Sequence, residues 1–221
     1  MPIVYPEVVI NEEAVLEAAR SDDPDDRERI MELAAEAKRR PGGAVYVERT
    51  VDSADDESVT VGGVTFYAKP LGRLFKEGMT VYPYVATCGR AMAEYGESLT
   101  DPLERFWWDT IMINAVGNAR NTMYDEITRV AGYKPASANP GSIGLWPISN
   151  QPALFSLIGD VEGMIGVTVA PSFLMRPLKS VSGIFFRSEG DFTHNCCLCE
   201  RENCEGRRAP FDAELKASLE N

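Results

Sequence analysis

One stretch in the middle of the chain, from Thr100 to Ala131, predicts a single long helix. Thr100-Asp101-Pro102 is a start signal, since it offers a capping side chain and a proline for the first turn, and Gly132-Tyr133 is a stop. The apolar residues occupy much of the helix girth: Phe106, Trp107, Ile111, Ile113, Ala115, Val116, Ala119, Met123 and Ile127. Such a helix is packed on more than one side. The rest of the chain must therefore fold around it.

Two shorter helices are predicted before it. Asn11 is a good capping residue, and Glu12 and Glu13 suit the positive end of the helix dipole. A second helix begins near Pro24, carries an apolar stripe, and ends at Pro41-Gly42-Gly43.

Strands are predicted on both sides of the long helix in sequence. Valines alternate with polar residues from Ala44 to Phe66, and Thr80 to Thr87 has the same character. Pro83 indicates that the latter strand is an edge strand or is kinked. Val167 to Val169 and Ser182 to Phe186 are the remaining strand candidates. Helices and strands together predict an α+β fold.

Charge and length restrict the function classes. The chain has 221 residues, a formal charge of −12 and a pI of about 4.6, which disfavours binding to nucleic acid or to an anionic membrane. No apolar run approaches the ~20 residues that span a bilayer, and the amino terminus does not have the pattern of a signal peptide. We expect a cytoplasmic protein with one domain, residues 1–221, including a helical segment 1–43 and a cysteine-containing tail 191–221.

Two segments carry the residues most suited to binding a ligand. The first is the loop Asn139-Pro140-Gly141-Ser142, followed by Trp146-Pro147-Ile148, in which Gly141 allows backbone to approach a ligand closely. The second runs from Ser172 to Gly183 and places small polar residues at the start of a strand. Taken singly, each segment is also compatible with ordinary turn chemistry.

The order and spacing of these segments resemble a known family. In order, the chain has a Pro-Gly loop after a long helix, a Leu-Phe helix, Ile165-Gly166-Val167-Thr168, and Met-x-Pro-x-Lys-Ser-Val-Ser-Gly from Met175 to Gly183. This series of segments resembles the activation domain of cobalamin-dependent methionine synthase. Its free-standing relatives, found beside corrinoid methyltransferases, are the more similar group. The resemblance is strongest from Asn139 to Phe186. It implies a mixed or antiparallel twisted sheet with flanking helices.

The resemblance also implies a function. Such domains bind S-adenosylmethionine and present its methyl group to the cobalt of a cobalamin carried by a partner protein, while an electron donor reduces the metal. The protein positions the reactants, and no catalytic side chain is required. The ligand-binding residues implied here are Asn139, Pro140, Gly141, Ser142, Lys179, Ser180, Ser182, Gly183 and Phe192. The expected role is reactivation of a corrinoid on a methionine synthase or a corrinoid methyltransferase.

Two positions depart from the family pattern. The family has an arginine three residues before the loop proline, where it binds the methionine carboxylate of the ligand, and this chain has Ser137. A tyrosine follows the loop glycine in the family, and here it is Ser142. Serine cannot make a bidentate charged contact. The alternative is therefore a module that binds a corrinoid protein without using S-adenosylmethionine.

Four cysteines lie within nine residues near the carboxyl end. Cys196-x2-Cys199-x4-Cys204 can supply three thiolates to one metal ion, with Cys197, His194 or water as a fourth ligand. Sulfur ligands favour zinc or an iron–sulfur cluster. The other interpretations are reduced thiols or a local disulfide. If the cysteine tail were the functional element, the chain would be a metal-dependent regulatory or scaffold protein.

Overall fold

The structure is a computed structural model that describes residues 1–5, 9–40, 42–142, 146–190, 192–204 and 207–220. The helix stop predicted at Pro41 and the first residue of the predicted tail, Asp191, lie outside these ranges. No helix in the described part of the chain is long and apolar enough to cross a membrane.

The secondary structure alternates between helices and short strands. The helices are α1 (Glu12–Ala19), α2 (Pro24–Lys38), α3 (Lys69–Leu74), α4 (Arg90–Ser98), α5 (Pro102–Ala131), α6 (Gln151–Ile158), α7 (Val161–Ile165) and α8 (Ala213–Glu220). The strands are β1 (Ile3–Tyr5), β2 (Gly43–Tyr46), β3 (Arg49–Ala54), β4 (Ser58–Val61), β5 (Val64–Tyr67), β6 (Thr80–Thr87), β7 (Ala136–Ala138), β8 (Thr168–Val169), β9 (Met175–Arg176) and β10 (Ser180–Phe186). Short 3-10 turns cover Ile148–Asn150 and Asn195–Leu198.

One curled antiparallel sheet organises the molecule around β6. The strand order is β1-β2-β6-β3-β4-β5, and β10 pairs with the other edge of β6 and with β7. β8 and β9 form a separate two-stranded sheet. The predicted α+β class, with a twisted antiparallel sheet and flanking helices, is confirmed.

The prediction that Pro83 marks an edge strand is wrong, because β6 has neighbours along both edges. The carbonyl of Pro83 accepts a hydrogen bond from the amide of Val47 at 3.1 Å. Val47 lies in the gap where β2 ends and β3 begins, since Tyr46 pairs with Tyr84 and Arg49 with Val81. The missing N–H of the proline faces that gap, so the ladder with β10 loses no hydrogen bond.

The predicted helix starts and stops are formed by the expected side chains. Asn11 accepts a hydrogen bond from the amide of Ala14, and Asp101 accepts from the amides at the start of α5. Gly132 ends α5 with φ +75°, a conformation that suits glycine. Helix α6 begins differently, because it follows a 3-10 turn and has no side-chain cap.

Helix α5 packs on two sides, as its sequence predicts. Its amino-terminal half packs against α1, α2 and α4 in a cluster that includes Val15, Ile30, Leu33, Met92, Trp108 and Ile111. Its carboxyl-terminal half packs against the sheet through Ala119, Met123 and Ile127, which meet Tyr84 and Phe185. The helix thus joins a helical layer to the sheet.

The tail contributes to the core of the sheet. Phe192, Cys197, Leu198 and Leu219 are buried in the same cluster as Phe186 and Trp146. The tail has too little apolar surface to fold alone, and its apolar side chains are instead buried in the larger core.

Candidate functional site

A cavity of about 390 Å³ lies where α5, the loop after β7, the start of β10 and the tail meet. Asn139 and Ser142 from the loop, and Lys179 and Ser180 from the strand start, line it together. A smaller cavity of about 200 Å³ adjoins it and is lined by Pro140 and Ser182, among others. The two segments that the sequence singled out therefore face a common space.

The loop residues have distinct roles. Asn139 and Pro140 are buried, whereas Gly141 and Ser142 are exposed. Gly141 has φ +78°, and its amide donates to the carbonyl of Trp146 at 2.8 Å. A Cβ at this position would lie 3.1 Å from the side chain of Ile148. Glycine is thus required by both conformation and space.

The strand start is held by hydrogen bonds and one ion pair. Lys179 pairs with Asp109 at 2.7 Å, and the Oγ of Ser180 lies 2.8 Å from Thr87 Oγ1. Ser182 Oγ donates to Gln151 Oε1 at 2.7 Å. Ser180 lines both cavities, while Ser182 lines only the smaller one.

Gly183 permits the closest contact between the two segments. A Cβ on Gly183 would lie 2.4 Å from the Nδ2 of Asn139 and 2.5 Å from the carbonyl oxygen of Ala138. Only glycine lets the loop approach β10 this closely. Gly183 therefore shapes the site through packing.

The structure gives Phe192 a packing role. Its side chain is 1% exposed and stacks on Phe186 with ring centroids 5.8 Å apart. This is the position of an apolar anchor for the tail; the ligand contact that the resemblance implied for Phe192 stays a prediction.

A hydrogen-bond network lies beneath the cavity and centres on Asn139. Its Nδ2 donates to the hydroxyl of Tyr84 and to the carbonyl of Ser182, each at 2.7 Å. Ser137 Oγ lies 3.2 Å from Asn139 Oδ1 and from the Tyr84 hydroxyl. The side-chain Nδ2 of Asn195 donates to the backbone carbonyl of Asn139 at 3.2 Å. The network fixes the loop, β6, β10 and the tail relative to one another.

This network accounts for nearly all of the buried polar side chains. In the described ranges these are Thr87, Arg120, Ser137, Asn139, Gln151, Ser182 and Asn195. Six are joined through Asn139, Tyr84 and Ser182, and Thr87 contacts Ser180 beside them. Burying polar groups costs free energy unless they are paired. Their concentration here distinguishes this site from the apolar remainder of the core.

Ser137 is part of the network and does not line this cavity; it lines a neighbouring cavity of about 400 Å³, together with Arg120. It is 1% exposed, and its backbone pairs with Phe185 of β10 and bridges to His194. Its hydroxyl cannot make the charged, bidentate contact that the family assigns to arginine at this position.

Sequence reasoning missed Arg120 and Arg208 and considered His194 only as a metal ligand, whereas all three line the cavity. Arg120 follows Val116 by four residues and so lies on the buried face of α5, which is the signal that could have identified it. Burial, together with the charges of Arg120 and Arg208, lowers the pKa of His194 to about 4, so this imidazole is neutral at pH 7. Its Nδ1 accepts from the amide of Cys196 at 3.2 Å.

The metal centre predicted at the cysteines stays a prediction. The described residues contain no group of three or more histidine, cysteine or acidic side chains placed to hold a metal ion, and Cys197 is buried in the apolar core. Arg207 instead holds the tail together: its guanidinium donates to the carbonyls of Cys196, Cys199 and Ala209 at 3.1–3.2 Å and also contacts the carbonyl of Arg201. Glu205 and Gly206, which follow Cys204, lie outside the described residues.

Comparison with known proteins places the fold. No protein-family model matches the chain, and no curated protein matches it either. A crystal structure of the MetH reactivation domain bound to AdoHcy superposes with a TM-score of 0.60 at 12% sequence identity, covering 87% of this chain and 80% of that one. The chain therefore shares the fold of a methionine synthase reactivation domain, at a sequence distance that establishes the fold alone.

Proposed function

We propose that the chain is an accessory protein for corrinoid reactivation, which binds S-adenosylmethionine in the cavity between the 139–142 loop and the start of β10. The observation that carries the proposal is that these two segments line one cavity. The structural neighbour was crystallised with AdoHcy, which is S-adenosylmethionine without its transferable methyl group.

The reaction needs a partner that carries the corrinoid, such as a methionine synthase or a corrinoid methyltransferase. A one-electron reductant takes the cobalt from the +2 to the +1 state, and the sulfonium methyl group then passes to the cobalt, releasing S-adenosylhomocysteine. The chain itself binds and orients the sulfonium compound and excludes water.

The residues of the cavity suit this positioning role. Ser142 and Ser180 line the space, and the hydrogen-bond network around Asn139 connects its walls. A preorganised wall reduces the entropy lost on binding.

The rim of the cavity is apolar and suits docking. Ile113 is 59% exposed and Leu178 is 63% exposed, and both line the opening. Leu174 lies beside the adjoining smaller cavity and is also exposed. Exposed apolar groups clustered at one opening are typical of a contact surface, here for the corrin ring and the protein that holds it.

Calorimetry with S-adenosylmethionine and S-adenosylhomocysteine tests ligand binding. Gly117 of α5 lines the cavity, and a Cβ there meets no heavy atom within 4 Å. We expect Gly117→Leu to abolish binding by filling the space and the matched Gly117→Ala to retain it. No heat and no thermal shift at millimolar ligand would remove this proposal.

Methyl transfer is tested with a corrinoid protein in the cob(II) state and a chemical reductant. The expected result is formation of the methylated corrinoid, followed by its absorption spectrum, with S-adenosylhomocysteine produced in equal amount. The reaction without the chain, and the reaction with Gly117→Leu, should both remain at background.

A second function is favoured by one observation. Ser137 is buried in the network, so the family's arginine–carboxylate contact has no counterpart at that position. The chain would then bind the corrinoid protein without S-adenosylmethionine. Complex formation measured by analytical ultracentrifugation, together with absent ligand heat, would select this second function over the first.

A further inference from the structure

The cavity concentrates positive charge in an acidic protein. The chain carries a net charge of −12, yet Arg120 and Arg208 line this one cavity together with Lys179, which is paired with Asp109, and no described acidic residue lines it. A neighbouring cavity of about 400 Å³ shares Arg120 and Arg208, adds Lys134, and likewise has no acidic residue among its described lining. Such a local charge reversal attracts anions.

Arg120 is buried without an acidic partner. It is 8% exposed, and its Nε donates to the Tyr84 hydroxyl at 3.4 Å. Its guanidinium carbon lies 5.0 Å from the centroid of the Phe185 ring. Among the described residues it forms no ion pair with a carboxylate. A buried charge is costly unless it is paired, and a bound oxyanion would supply the missing partner.

Other arginines of the chain are satisfied in ordinary ways. Arg29, Arg40 and Arg129 pair with glutamates at 2.6–2.7 Å, and Arg49 donates to the carbonyl of Leu157 at 2.6 Å. Arg120 differs from these four because its partners are a hydroxyl and aromatic faces, and it also lines the cavity.

Arg208 brings a second guanidinium to the same space. The guanidinium group of its neighbour Arg207 donates hydrogen bonds to backbone carbonyls of the tail. These bonds fix the segment that carries Arg208. Desolvation and the charge of Arg120 lower the pKa of Arg208, so the two guanidinium groups oppose each other in the protein without a ligand. An anion that contacts both would relieve this repulsion.

We infer that Arg120 and Arg208 form a binding site for the oxyanion of a small ligand, a carboxylate or a phosphate group. The inference deepens the proposed function and rests on it only for the location of the ligand: in S-adenosylmethionine the anion is the carboxylate. Guanidinium groups bind both kinds of oxyanion with paired hydrogen bonds. Ser137 is buried and does not provide a charged contact. Arg120 of α5 and Arg208 of the tail would provide that contact instead.

The test uses the full chain and three variants that each remove one positive charge: Arg120→Gln, Arg208→Gln and, as the matched control, Arg27→Gln. Arg27 is exposed on α2 and away from the cavity. The first probe is inorganic phosphate against chloride at equal ionic strength, read as a shift in Tm. We expect phosphate to stabilise the wild type and Arg27→Gln, and to have little effect on the two cavity variants. Arg208 is exposed, so its variant remains informative if Arg120→Gln does not fold.

The second probe separates the two sources of the anion. S-adenosylhomocysteine should bind the wild type at least about 10-fold more tightly than its decarboxylated analogue, and the two should bind Arg208→Gln with similar affinity.

Equal binding of both compounds to the wild type, with no phosphate effect, would overturn the anion site while leaving the proposed function intact. A phosphate effect that depends on both arginines, without any binding of adenosyl compounds, would keep the anion site and remove the proposed ligand. An equal phosphate response in all four proteins would also overturn the inference.

Discussion

The two halves of α5 lie in different surroundings. The amino-terminal half contacts α1, α2 and α4 through buried apolar side chains such as Trp108 and Ile111. The carboxyl-terminal half lies against the sheet, carries the buried Arg120, and borders the cavity. The first half therefore stabilises the fold. The second half borders a polar cavity, and the side chains of the chain do not fill this cavity.

Thiol reactivity should show the largest contrast between the two regions. Burial raises the pKa of Cys88 in the helical cluster to about 12, so about 1,000-fold less thiolate is available than for an ordinary thiol. We expect Cys196, Cys199 and Cys204, which are partly exposed, to react with a thiol reagent in the native protein and Cys88 to react only on unfolding. Tail cysteines that react only after a chelator is added would instead reveal a bound metal.

Replacement of Trp108 should have the largest effect on stability. The side chain is fully buried, and its Nε1 donates to the carbonyl of Met92 at 2.9 Å. Trp108→Ala should lower the free energy of unfolding by about 3–5 kcal/mol, measured by denaturant titration. Phe106→Ala, at an exposed position on the same helix, is the control and should cost less than about 1 kcal/mol. Equal losses at the two positions would contradict the buried packing of Trp108 described here.

Gly183→Ala should cost about 1–3 kcal/mol, since the added methyl group collides with Asn139 and the Ala138 carbonyl. The same variant should weaken ligand binding, because it displaces the loop. Gly190→Ala, where a Cβ meets nothing within 4 Å, is the matched control. Thermal unfolding and calorimetry measure the two effects, and a Gly183→Ala protein with wild-type stability would contradict the packing described here.

Gly117→Ala should raise the free energy of unfolding by about 0.5–1 kcal/mol, the smallest of these effects. Glycine disfavours a helix interior, and the new methyl group would enter open space. A loss of stability, again measured by denaturant titration, would mean that the cavity is smaller than the structure indicates.

The apolar region was well predicted by the sequence, because helix caps and apolar spacing are local signals. Asn11, Asp101 and Gly132 act as their residue types suggest. Pro83 was misjudged because its tolerance depends on a gap between β2 and β3, which is a feature of the sheet and not of the strand.

The candidate site was predicted only in part. The resemblance indicated that the loop around Gly141 and the strand start at Ser180 belong to one site. It did not indicate the positively charged residues of the cavity, which lie elsewhere in the chain. Arg120 lies within an apolar helix pattern, and Arg208 is positioned by the contacts of Arg207 with backbone carbonyls. Such contacts depend on tertiary structure, and local spacing does not encode them.

A crystal structure of the protein soaked with S-adenosylhomocysteine tests the central claim most directly, namely that the space between the 139–142 loop and the start of β10 holds a ligand. We predict electron density in that cavity, in contact with Ser142 and Ser180, with the carboxylate toward Arg120 and Arg208. Density at another surface, or an empty cavity at saturating ligand, would contradict the account.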